Sequence, residues 1–152
     1  MPPLSLRRLT AGERAVAQEV FGGGLDAARV MVFAVPVWDR AFVAGGALMV
    51  WPARTARVDF SETALETLAV FVHELTHVWQ AQHGVWLALA KIKAGDSAAS
   101  YAYDLENGPG FAAMNIEQQA MVVEDTFRLS RGGHAPYPAH LYAEASVNWR
   151  GL

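Results

Sequence analysis

Apolar residues fall in short blocks whose spacing alternates between helix and strand along the 152 residues. Thr10 followed by Glu13 forms a capping box, and the spacing after it predicts a helix over Ala11 to Phe21, stopped by Gly22-Gly23-Gly24. Arg29 to Val35 is rich in valine and predicts a strand ending at Pro36. Ala41 to Val43 and Ala47 to Trp51 flank Gly45-Gly46 and predict a hairpin closed by Pro52. A long helix is expected next. Ser61 and Thr63 are its candidate N-caps, Thr63 with Glu66 offers a second capping box, and the helix runs to Gln82 or His83 before Gly84. Val85 to Ile92 predicts a further helix ended by Gly95, and Ser100 to Leu105 an extended segment before the turn Glu106 to Gly110. Asn115 with Gln118 opens a last helix, Ile116 to Ser130, which Gly132-Gly133 ends. The tail from His134 to Leu152 has no clear period. The expected fold is α+β: a small N-terminal sheet, a central long helix and a C-terminal helix, in one domain over residues 1–152.

Hydrophobic residues make up 53% of the chain and charged residues 18%, enough apolar surface for a packed core and too little charge for a disordered chain. The net charge is 12 − 15 = −3. It divides into 7 − 4 = +3 over residues 1–58 and 5 − 11 = −6 over residues 59–152. No basic run exceeds Arg7-Arg8, so no nucleic-acid partner is expected. The start, MPPLSLRRLTAGER, lacks the apolar core of a signal peptide. The longest apolar run, Ala41 to Trp51, is broken by two glycines and is too short for a bilayer span. A cytoplasmic protein without a membrane partner is the expectation. The chain has no cysteine, so a metal would have to be held by His, Asp or Glu.

The chemistry concentrates in His73-Glu74-Leu75-Thr76-His77. Residues four apart on a helix lie about 40° apart around its axis, so both imidazoles can reach one zinc ion. Glu74 lies about 100° round from His73, beside the ion and not on it, where it can act as general base on a water molecule. Leu68, Phe71, Val72, Leu75, Val78 and Trp79 form an apolar wedge on the opposite side, which would anchor the helix and fix both ligands.

A catalytic zinc needs a third protein ligand. HELTHVWQAQH has the spacing of the metzincin signature, which would make His83 the ligand. Gln80 replaces the glycine at which that signature leaves the helix, so His83 is turned away and expected to cap the helix C-terminus. Glu117 is the favoured ligand, since the N-terminus of the last helix stabilises its charge, and Ala120 one turn on lets the two helices approach. Glu124 and Asp125 are alternatives to it, or acceptors for a ligand histidine N–H. Tyr101, Tyr103, His134, Tyr137 and His140 are candidate donors to a reacting oxygen, with Tyr103 favoured because it precedes the glutamate helix.

LAVFVHELTHVWQAQHG and, further on, NIEQQAMVVEDTF resemble the small bacterial zincin-like proteins known as Vgr-related. These are similar to the metallopeptidase-like domains attached to contractile injection systems. The resemblance extends to LTAGERAVAQEVFGGGLDAARVMV and YAYDLENGPGF, and so covers most of residues 8–131. It implies a minimal zincin-like fold with a gluzincin-type centre, in which His73, His77 and Glu117 bind Zn²⁺ and Glu74 is the base. The implied activity is peptide-bond hydrolysis on a peptide or protein substrate. The other reading is a non-hydrolytic zinc module associated with a secretion or injection apparatus, which would be its partner and its route of export. Thermolysin-like enzymes carry an acid four residues after the ligand glutamate. Here that position is Met121, which leaves Asp125 open as its substitute.

Overall fold

A computed structural model describes residues 1–150; Gly151 and Leu152, the end of the tail, lie outside the described residues. Four strands form one mixed sheet in the order β1-β2-β4-β3: β1 (Leu6–Arg8), β2 (Met31–Val35), β3 (Phe42–Ala44) and β4 (Leu48–Pro52). β4 runs parallel to β2, and the two outer pairings are antiparallel. The predicted hairpin is therefore β3–β4, with β4 inserted beside β2 and β3 left as the edge next to the cleft described below.

Six α-helices accompany the sheet among the described residues: α1 (Ala11–Phe21), α2 (Leu65–Gln82), α3 (Leu87–Ala94), α4 (Ala98–Tyr101), α5 (Ile116–Ser130) and α6 (Ala139–Ser146). The α+β class, α1 and α5 follow the sequence expectation; of the two predicted capping boxes Thr10/Glu13 is present and Thr63/Glu66 is not, while Asn115, expected to open α5, forms a box with Gln118. Glu13 does more than cap. Its buried carboxylate takes two 2.7 Å hydrogen bonds from Arg7 and one of 2.8 Å from the Phe60 backbone, which ties β1 and the approach to α2 onto α1.

Other expectations need correction. α2 begins at Leu65 without a side-chain cap, because Thr63 Oγ1 donates to the Phe60 carbonyl at 2.6 Å and does not cap the helix. The segment expected to be extended from Ser100 starts inside the short helix α4, where Tyr101 is drawn to Lys91 and Asp96. The tail contains α6, whose only buried residue is Tyr142, too few to leave a period in the sequence. β1 spans three residues, below the length at which alternation can be read.

The wedge on α2 packs as expected. Leu68, Phe71, Val72, Leu75, Val78 and Trp79 are all core residues, and Trp51, Phe60 and Phe71 form an aromatic cluster with ring centroids 4.4 and 4.9 Å apart. On the other side α2 packs along α5, where Ala120 is fully buried. The helix runs through Gln80 and stops only where Gly84, at φ 89°, takes a backbone conformation that L side chains rarely adopt.

Candidate metal centre

α2 carries His73, Glu74 and His77, and α5 carries Glu117 in its first turn. The packing of the two helices brings these four buried residues to the floor of an open cleft of about 1230 Å³. One oxygen, Glu117 Oε2, lies 3.2 Å from His73 Nε2 and 3.3 Å from His77 Nε2. Ligand atoms about 2.0–2.1 Å from an ion at tetrahedral angles are roughly 3.3–3.4 Å apart. The three side chains are therefore spaced to share one cation, and among the described residues His73, His77 and Glu117 form a group able to hold a metal ion.

Each histidine is oriented from behind. His73 Nδ1 donates to Glu124 Oε2 at 2.9 Å, and Arg128 holds the other Glu124 oxygen at 2.6 Å. His77 Nδ1 donates to Gln80 Oε1 at 2.8 Å, and the Gln80 amide is itself fixed on the Ile116 carbonyl and on Gln119 Oε1, each at 2.9 Å. Such partners fix ring orientation and leave Nε2 free to face a metal. Of the two acids offered for this role, Glu124 meets His73. Gln80, fully buried, has a part that its departure from a glycine did not suggest, although three residues after His77 it lies on the same helix face.

The electrostatics favour a positive charge at the point of convergence. Burial opposes ionisation of His73, yet the Glu117 and Glu124 carboxylates raise its pKa to about 10. Burial also opposes the charge on Glu117, and hydrogen bonds from His73 and His77 nevertheless hold its carboxyl well below the usual carboxylate range. A proton on His73 and a divalent cation then compete for the same place. Because His73 titrates at about 10, the ion must release that proton at neutral pH. Metal affinity should thus rise with pH, by roughly tenfold per unit between about pH 6 and about pH 8, in competition against a chelator. A flat profile would show that metal binding displaces no proton from His73.

Glu74 differs from its neighbours. Its carboxylate makes no hydrogen bond among the described residues, and its buried Oε2 has no partner. Burial raises its pKa, against the lowering effect of His77 and His73. A buried acid that lines the cleft without a partner is costly unless a ligand or water uses it.

Lys91, which sequence reasoning passed over, reaches in from α3. Its Nζ hydrogen-bonds Glu117 Oε1 and sits 3.1 Å from the Tyr101 hydroxyl. The Tyr101 ring stacks beside that of His73 with centroids 6.2 Å apart, so Tyr101 is the tyrosine at the cleft. Tyr103 is placed elsewhere. Its hydroxyl donates to Asp125 Oδ2 at 2.5 Å and lies 2.6 Å from the Tyr142 hydroxyl, behind α5 and outside the cleft lining. Burial and the Asp125 carboxylate push that hydroxyl far above its ordinary pKa. Asp125 therefore anchors α6, by way of Tyr103 and Tyr142, and does not support a ligand. His83 is exposed at the end of α2, where its Nδ1 lies 2.8 Å from the Trp79 carbonyl.

No family model matches the chain. Its sequence is similar to that of the type VI secretion system spike protein VgrG2b of Pseudomonas aeruginosa, with 35% identity over 134 residues. That match takes in 80% of this chain and 13% of the spike protein, so the chain spans only a small part of its curated relative. The solved effector domain of Pseudomonas aeruginosa VgrG2b has a similar fold, with a TM-score of 0.71 and 28% identity over 95% of this chain and 83% of that one. The chain is a homologue of that effector domain, which supports the Vgr-related resemblance.

Proposed function

We propose, from that homology and from the cluster between α2 and α5, that the chain is a zinc-binding effector module of a type VI secretion apparatus whose metal centre hydrolyses peptide bonds. The fold is then a minimal zincin-like one, with HELTH on its central helix. His73, His77 and Glu117 are the zinc ligands and Glu74 is the general base. The donor set fits zinc: two imidazoles and one carboxylate, with a fourth position toward the cleft, are the ligands of many catalytic zinc sites.

Zinc, when bound, supplies Lewis acidity that acidifies water and polarises a carbonyl. The chain's own residues supply the rest. Glu74 Oε2 is free of other partners and is the natural acceptor for a proton from the attacking water. Its raised pKa lets it pass that proton on to the leaving amine. Glu124 and Gln80 hold the imidazoles still, and the α2 wedge holds the helix. Tyr101 is the side-chain donor that replaces Tyr103 in this reading, because its ring lies beside that of His73; its hydroxyl, which donates to Asp96 at 3.2 Å, would turn from that partner to a bound oxygen. The observation that carries the hydrolytic reading is the unpartnered Glu74 oxygen, since a site that only binds zinc has no use for it.

The second reading is a non-hydrolytic zinc module of the same apparatus, and it is favoured by the relative's description as a spike protein. No helix among the described residues is long and apolar enough to cross a membrane, and a delivered module needs none. Digestion of a broad peptide library by zinc-loaded, chelated and re-loaded protein separates the two. Cleavage lost on chelation and restored by zinc is expected. Intact peptides in all three samples, with zinc confirmed in the loaded and re-loaded ones, would favour the second reading.

A further inference from the structure

The two carboxylates that grip His73 share a pattern. Each gives one oxygen to the imidazole and the other to a cation. Glu124 offers Oε2 to His73 and Oε1 to Arg128, while Glu117 offers Oε2 to both histidines and Oε1 to Lys91. Arg128 lies behind the site on α5. Lys91 comes from α3, a different element, and lines the cleft at the centre itself.

We propose that Lys91 is a positioning residue: by holding Oε1 of Glu117 it confines that carboxylate to one oxygen at the metal centre and keeps a coordination position free for water or substrate. The inference rests on the zinc reading above. A glutamate at the edge of a dication can bind through one oxygen or two. With 3% of its side chain exposed, Glu117 has little water to solvate a second oxygen, which would turn onto the ion if nothing else held it. The Lys91 ammonium provides that hold, and it is braced in turn. It contacts the Tyr101 hydroxyl at 3.1 Å and Asp96 at 3.3 Å, and Asp96 is paired at 2.6 Å with Arg40 across the cleft. A lysine kept only for surface charge pairing would have no reason to reach a nine-tenths-buried carboxylate that also faces two histidines. Catalytic zinc sites need an open position and structural ones close it, so the division of Glu117 between a cation and the centre bears directly on what the site can do.

Cobalt(II) in place of zinc makes the coordination visible, because four-coordinate cobalt absorbs visible light severalfold more strongly than five- or six-coordinate cobalt. The wild type and Lys91→Arg, which keeps a cation in reach of Oε1, should show the intense spectrum. Lys91→Met should bind cobalt with a severalfold weaker one as Glu117 adds its second oxygen. Lys91→Gln serves in its place, with the same expectation, if the methionine variant does not fold. An unchanged spectrum in a variant without the cation would overturn the proposal. So would loss of cobalt from that variant alone, since Lys91 would then hold Glu117 within reach of the ion and not restrain it. Failure of the wild type to bind cobalt or zinc at all would instead overturn the zinc reading, and this inference with it.

Discussion

His77→Ala should lose stoichiometric zinc, with affinity falling by more than the roughly 10- to 100-fold that removal of a ligand's hydrogen-bond partner costs. His77 Nε2 is one of three candidate ligand atoms, with His73 Nε2 and Glu117 Oε2, and among the described residues no other histidine joins that group: His83 is exposed at the helix end. The loss should also be visible in stability. In the proposed site two ligands lie on α2 and one on α5, so a bound ion would join the helices that form the main interface of the fold. Zinc at about 1,000 times its dissociation constant would add about 4 kcal/mol, or roughly 10 °C in melting temperature for a domain of this size. Wild type should show that difference between zinc-loaded and chelated samples, and His77→Ala should show almost none. Full zinc content and an undiminished shift in the variant would remove His77 from the site.

Glu74→Gln should do the opposite, keeping zinc and fold while losing turnover by about 10²–10⁴-fold, the usual value of a general base. Glutamine has nearly the same size, and no hydrogen bond among the described residues is broken by the change, because the Glu74 carboxylate makes none. Removing a buried charge whose ionisation burial already opposes should leave the melting temperature unchanged or slightly higher. Peptide cleavage by the two proteins, compared at equal zinc content, measures the effect. Equal rates would place the base elsewhere.

The parts of the site that helix geometry controls are legible in the sequence. His73 and His77 share a face because they are four apart, and Glu117 follows an N-cap that Asn115 and Gln118 announce. What holds those residues in place is less legible. Glu124 and Asp125 are neighbours on one helix, and only the packing of α5 against α2 and α6 decides that the first meets His73 and the second Tyr103. Tyr101 and Tyr103 point to opposite sides for a related reason: α4, too short to show a period, turns the first toward the cleft and leaves the second behind α5. Lys91 carries no signal at all, since a lysine in the last turn of an exposed helix reads as ordinary dipole complement. In the fold the same limit appears at β1 and α6, whose few buried residues set no pattern that periodicity can detect.

The most direct measurement is anomalous diffraction at the zinc edge from crystals of the zinc-loaded protein. One ion is expected, bounded by His73 Nε2, His77 Nε2 and Glu117 Oε2, with a solvent oxygen on the cleft side near Glu74. An ion bound elsewhere, or one enclosed by four protein ligands with no solvent position, would contradict the account.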